Sequence, residues 1–80
     1  MVHRVVTLKD QGIDYLLTFE FHRDGHREVC KVTERLNGRV IDVDSFSAQY
    51  CEETIASCKR EHFKEVPVTS GLIEPVASKD

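Results

Sequence analysis

The sequence predicts an α+β fold: a four-stranded antiparallel β-meander packed on one long α-helix, with a partly ordered C-terminal tail. Three observations carry that prediction. Asp24-Gly25 and Asn37-Gly38 are dipeptides of tight hairpin turns, where the backbone must take positive φ. The segments flanking them alternate apolar and polar residues with the period of two of a half-buried strand. From about Asp44 the period changes to three and four, the spacing of a helix with one apolar stripe.

The first strand, roughly residues 2–9, places Val2, Val6 and Leu8 on one face interrupted by Arg4, and Asp10-Gln11-Gly12 supplies the following turn. Strands two and three, roughly 14–22 and 27–36, flank Asp24-Gly25. Taking that dipeptide as the loop sets Phe19 opposite Cys30 and Leu17 opposite Val32. Tyr15, Leu17, Phe19, Phe21, Cys30 and Val32 then share one side, and Asp14, Thr18, Glu20, His22, Arg27, Lys31, Thr33 and Arg35 share the other. A slip of one residue would set the aromatics against Arg27, Lys31 and Thr33. The Asn37-Gly38 turn leads into a fourth strand, roughly 39–43, in which Val43 faces Val32 and Ile41 faces Glu34, so both join the apolar side.

Asp44, Ser45 and Ser47 are helix N-cap types. Glu52 and Glu53 precede Lys59, Arg60 and Lys64, the order that the helix dipole favours. Ala48, Cys51, Ile55, Cys58 and His62 form one stripe bordered by Phe63, and Pro67 with Gly71 stops the helix near Glu65. Sheet and stripe have one economical arrangement, each burying the other's apolar side. The domain is expected to span 1–65. The tail, 66–80, carries Val66, Val68, Leu72, Ile73 and Val76, enough to add a short edge strand or cover the core, with disorder expected in its last four residues.

Eighty residues suffice for one domain, and 40% hydrophobic with 31% charged residues is ordinary for a soluble chain. Eleven basic against 14 acidic residues give −3, which disfavours generic attraction to nucleic acid or anionic membrane. No apolar run approaches the roughly 20 residues of a membrane span, and the N-terminus lacks the apolar core of an export signal. Three cysteines without such a signal predict reduced thiols in a cytoplasm.

Two constellations suggest chemistry. In FHRDGHREVC, His22 and His26 point to opposite sides of the predicted hairpin, and His26 lies about 13 Å along the strand from Cys30. One metal cannot join them, so a polar hairpin tip and a buried thiol are expected. Cys58 and His62, one helical turn apart, make the better metal or thiol-redox candidate, with Cys30 approaching from the sheet. A catalytic cysteine would also need an orienting partner and an open cleft, which the sequence does not specify. The four glycines stand one per turn, so no phosphate-cradling loop is present, and Glu52-Glu53 and Asp42 with Asp44 are expected to be solvated. No catalytic residue, metal ligand or cofactor is assigned.

What remains is recognition by a surface. Leu16, His22, Arg27, Val29, Lys31 and Arg35 on the outer sheet face form the candidate interaction surface, with Val5 and Val40 extending its apolar part. Arg27, Lys31 and Arg35 make nucleic-acid binding an alternative, weakened because Asp14 is expected opposite Arg35 and Asp44 opposite Lys31. A compact, mildly acidic meander with one helix and no catalytic constellation resembles, in architecture alone, the small phage-encoded inhibitors of bacterial defence, anti-CRISPR proteins among them. The resemblance implies a non-enzymatic protein in the host cytoplasm that sterically blocks a larger protein complex, as monomer or homodimer, away from membranes. It carries over no binding residue.

Overall fold

The computed structural model describes residues 1–67. Five strands and one helix follow in order: β1 (Val2–Asp10), β2 (Tyr15–Asp24), β3 (Arg27–Leu36), β4 (Arg39–Ser47), α1 (Ala48–Lys59) and β5 (Phe63–Val66). They build an antiparallel sheet of order β4-β3-β2-β1-β5 with the helix on one side. The fold is α+β as expected, but a fifth strand joins the meander. No helix among the described residues is long and apolar enough to cross a membrane. The part of the tail expected as an edge strand beyond Pro67 lies outside the described residues.

The first hairpin differs from the expected register by two residues. Its loop is Gly25-His26, with Asp24 opposite Arg27, Phe21 opposite Cys30 and Phe19 opposite Val32. Gly25 takes φ +66°, so the glycine stands first in the turn. This is the Gly-X pattern of a II′ turn, and it spares Asp24 the left-handed backbone that an Asp-Gly loop would impose. A two-residue shift keeps every side chain on its face. The second hairpin turns at Asn37-Gly38, both at positive φ, 53° and 82°, as a type I′ turn requires.

β4 departs more. Arg35 pairs with Val40, but Glu34 pairs with Asp42, so Ile41 is an extra residue at a β-bulge. Beyond it the alternation inverts relative to the expectation. Val43 faces Thr33 on the outer side, while Asp42, Asp44 and Phe46 turn toward the helix side opposite Glu34, Val32 and Cys30. The strand also runs to Ser47 rather than ending at Val43. A second irregularity, between Val2 and Arg4, places Val2 opposite His22 and Arg4 opposite Phe21.

The helix is shorter than its stripe suggested. Ser47 caps it, its hydroxyl accepting from Tyr50 N at 3.1 Å. It ends in a tightened turn in which Arg60 N–H donates to the Ala56 and Ser57 carbonyls and Glu61 N–H to the Cys58 carbonyl. The chain is then hooked to the β1–β2 loop, where Gln11 N–H donates to the His62 carbonyl at 3.0 Å. Phe63 to Val66 satisfy backbone groups of β1 from Asp10 to Thr7, which otherwise would be an open edge. Lys59 at the end of the helix forms an ion pair with Glu65 of β5.

The core is Val6, Leu8, Leu17, Phe19, Phe21, Cys30 and Val32 from the sheet, closed by Cys51 and Ile55. Tyr15, Ala48, Cys58 and Phe63 pack around it, half-buried. At ~1.5–3 kcal/mol per large apolar side chain, this layer supplies most of the drive to fold.

Candidate protein-interaction surface

One helix cannot roof five strands. A helix is about 10 Å across, and strands lie about 4.8 Å apart, so two or three strands are covered. Arg4 of β1 pairs with Glu52 of α1 and lies 4.9 Å over the Phe21 ring, and Lys59 pairs with Glu65, which ties α1 to β1 and β5 through side chains. β4 is left bare, and every one of its nine residues is exposed.

Exposed apolar side chains concentrate there. Val40, Ile41, Val43 and Phe46 line the strand, Tyr50 continues the strip onto the helix, and Val29 adjoins it from β3. The Phe46 and Tyr50 rings stack with centroids 5.1 Å apart, and both remain more than a third exposed, at 38% and 52%. Between α1 and β3–β4 runs a groove of about 200 Å³ whose lining includes Tyr15, Val32, Glu34, Phe46, Tyr50 and Thr54. Burial first, then the Glu34 carboxylate beside it, holds the Tyr15 phenol above its ordinary pKa. Asp42 and Asp44 flank the groove through their pairing with Glu34 and Val32, and neither has an ion-pair partner among the described residues. The result is an aromatic groove with an acidic rim.

The six residues expected to form an interaction surface do share the outer face. Leu16 lies opposite Arg35, His22 opposite Val29, Lys31 opposite Glu20, and Arg27 beside the first turn opposite Asp24. Val5 and Val40 lie on the same face. The acidic partners expected for Lys31 and Arg35 are replaced, since Lys31 meets Ser45 and Arg35 meets Val40 on β4, and the acid opposite the cations comes instead from Glu20 and Asp24 of β2. Sequence reasoning missed Phe46 and Tyr50, which it had placed in or beside a helix. An aromatic i, i+4 pair at a strand–helix junction was the available signal.

The chemical constellations come apart. His26 sits in the hairpin loop, His22 on the outer face with Glu20, and Cys30 is fully buried on the helix side. Cys58 ends the helical stripe, whereas His62 lies beyond the helix and takes Asp10 as partner, Nε2 to Oδ2 2.8 Å. Asp10 also accepts from Gly12 N at 2.6 Å and Ile13 N at 3.1 Å. Those backbone donors, Gly12 foremost, with the imidazole adding to them, hold its carboxyl below the usual carboxylate range. Asp10 therefore staples the β1–β2 loop to the helix–β5 turn. Cys30 neighbours Cys51 across the sheet–helix boundary. Burial pushes all three thiols up in pKa. Among the described residues, no group of three or more His, Cys, Asp or Glu could hold a metal ion. No family model matches the chain, and neither a curated protein nor a solved structure matches it.

Proposed function

We propose that this protein is a non-enzymatic binding module that docks on a larger protein assembly through β4 and the groove beside it. The observation that carries the reading is the concentration of exposed Val40, Ile41, Val43, Phe46 and Tyr50 along one uncovered strand and the helix start. Contiguous apolar surface with a polar rim marks a contact for a partner. The Ile41 bulge and the aspartates at 42 and 44 discourage indiscriminate strand addition, so the partner meets side chains more than backbone. The acid rim favours a basic surface on that partner. A non-catalytic role is supported by thiols whose pKa burial raises, which makes them poor nucleophiles near neutral pH.

The finer reading is steric inhibition in a host cytoplasm, of the kind performed by phage-encoded inhibitors of CRISPR-type defence. Its support is the architecture: a small rigid body whose exposed strand can occupy a recruitment surface. The test is affinity capture from bacterial lysates containing or lacking a CRISPR effector complex, with the protein and its Val43→Glu/Phe46→Glu variant as baits. Retention of the effector by the first bait and its loss with the second is the expected result. Equal recovery on both baits, or none on either, refutes the reading.

A further inference from the structure

The face of the sheet away from the helix has an electrostatic character of its own. By register, cross-strand rows there read Lys64–Lys9–Leu16–Arg35–Val40, then Val66–Thr7–Thr18–Thr33–Val43, then Val5–Glu20–Lys31–Ser45. The three threonines are buried and sit low between rows of longer side chains, which leaves cations standing on either side of a shallow strip. Arg27, Lys31, Arg35 and Lys64 have no ion-pair partner among the described residues. On the helix side, Arg4, Arg23 and Lys59 are all paired with glutamates. The bulge at Ile41 completes the contrast by carrying Asp42 and Asp44 off the outer face.

Lys9 and Lys64 lie directly opposite each other, an arrangement that repels unless an anion stands over it. Asp14 reaches Lys9 only at 4.0 Å. The two lysines line a cavity of about 540 Å³ at the β1–β2 loop, whose lining also includes Asp10, held by His62 and backbone donors, and Asp14. From this corner the cations run through Arg35 to Lys31 and Arg27, about 13 Å apart in turn along β3.

We infer that this outer face binds the phosphodiester backbone of double-stranded nucleic acid, without reading sequence. All six aromatic residues, Tyr15, Phe19, Phe21, Phe46, Tyr50 and Phe63, belong to the helix side or the helix. The outer face therefore offers no Phe or Tyr ring on which unpaired bases could stack, the device that single-strand binders use, and its one strand imidazole, His22, is held against Glu20. A duplex pairs its own bases and offers fixed phosphates to a basic sheet. The net charge of −3 is no obstacle, because this face carries Lys9, Arg27, Lys31, Arg35 and Lys64 against Glu20, Asp24 and the Asp14 beside Lys9, while Asp42 and Asp44 turn to the other side. The inference does not rest on the β4 docking reading, although Val40 and Val43 border both surfaces, and the two together would let the module sit on a nucleoprotein.

The test is fluorescence anisotropy of the purified full chain with a labelled 20-base-pair duplex, the matching single strand, and phosphatidylserine vesicles. Four phosphate contacts predict a salt slope between −3 and −4, an affinity loss of about 100-fold from 50 to 200 mM salt. Arg35→Gln and Lys64→Gln should each reduce that slope by about one, with unchanged far-UV circular dichroism, and Asp42→Asn on the other side should leave it alone. Absence of duplex binding at 50 mM salt overturns the inference. So does a slope that the Arg35→Gln/Lys64→Gln pair fails to change, tighter binding of the single strand, or binding of vesicles in place of the duplex.

Discussion

The two sides of the sheet use the same alternation for opposite ends. Toward the helix, Val6, Leu8, Phe19, Phe21 and Cys30 are packed out of water and every basic residue of β1, β2 and α1 has an acidic partner. Away from it, threonines replace the large apolar residues, and Arg27, Lys31, Arg35 and Lys64 have no ion-pair partner among the described residues. Stability is concentrated on the first side, and freedom to meet a partner is left on the second and along β4. The difference teaches where mutation should hurt: one residue's step along a strand separates a position that holds the fold from one that does not.

The largest effect should come from Phe19→Ala, which empties the centre of the helix-side layer; a loss of about 3–5 kcal/mol is expected in denaturant melts. Its outer neighbours on the flanking strand, such as Lys31→Ala, should stay within about 0.5 kcal/mol. Next comes acid. Asp10 has a lower pKa folded than unfolded, so its contribution is complete above the ordinary carboxylate range and disappears as pH falls through the lowered value. Thermal melts from neutral to acid pH should show that fall, and Asp10→Asn should flatten it while lowering the neutral-pH midpoint. Ser47→Ala removes the acceptor for Tyr50 N–H and should cost about 1 kcal/mol. The smallest change in stability should follow deletion of Ile41. It restores regular alternation without turning Asp42, Val43 or Asp44 over, yet smooths the edge, so light scattering should report more self-association at equal stability.

Much of this fold was legible in the chain. The positions of Gly25 and Gly38 fixed both hairpins, and the aromatic alternation of β2 named the buried side even though the first register was two residues out. The bulge was not legible, because Ile41 in a run Val-Ile-Asp-Val reads equally well in either phase; packing beside Phe46 and Cys30 decides it. Phe63 to Val66 escaped notice because their spacing continues the helical stripe, and only the open edge of β1 gives them a reason to extend. Of the interaction residues, the outer-face set could be read from period alone. The β4 strip could not, since its exposure depends on where one short helix happens to lie.

The pairing of β1 with both β2 and β5 has a consequence for synthesis. β1 takes its second neighbour from the strand farthest from it in sequence among the described residues, closing a loop from Thr7 to Val66. On the ribosome, residues 7–10 must therefore wait half-satisfied until Phe63 has cleared the exit tunnel. A nascent chain arrested ahead of that point would display an unpaired ribbon that the finished molecule never shows, and a protease or chaperone could tell the two apart by that ribbon alone.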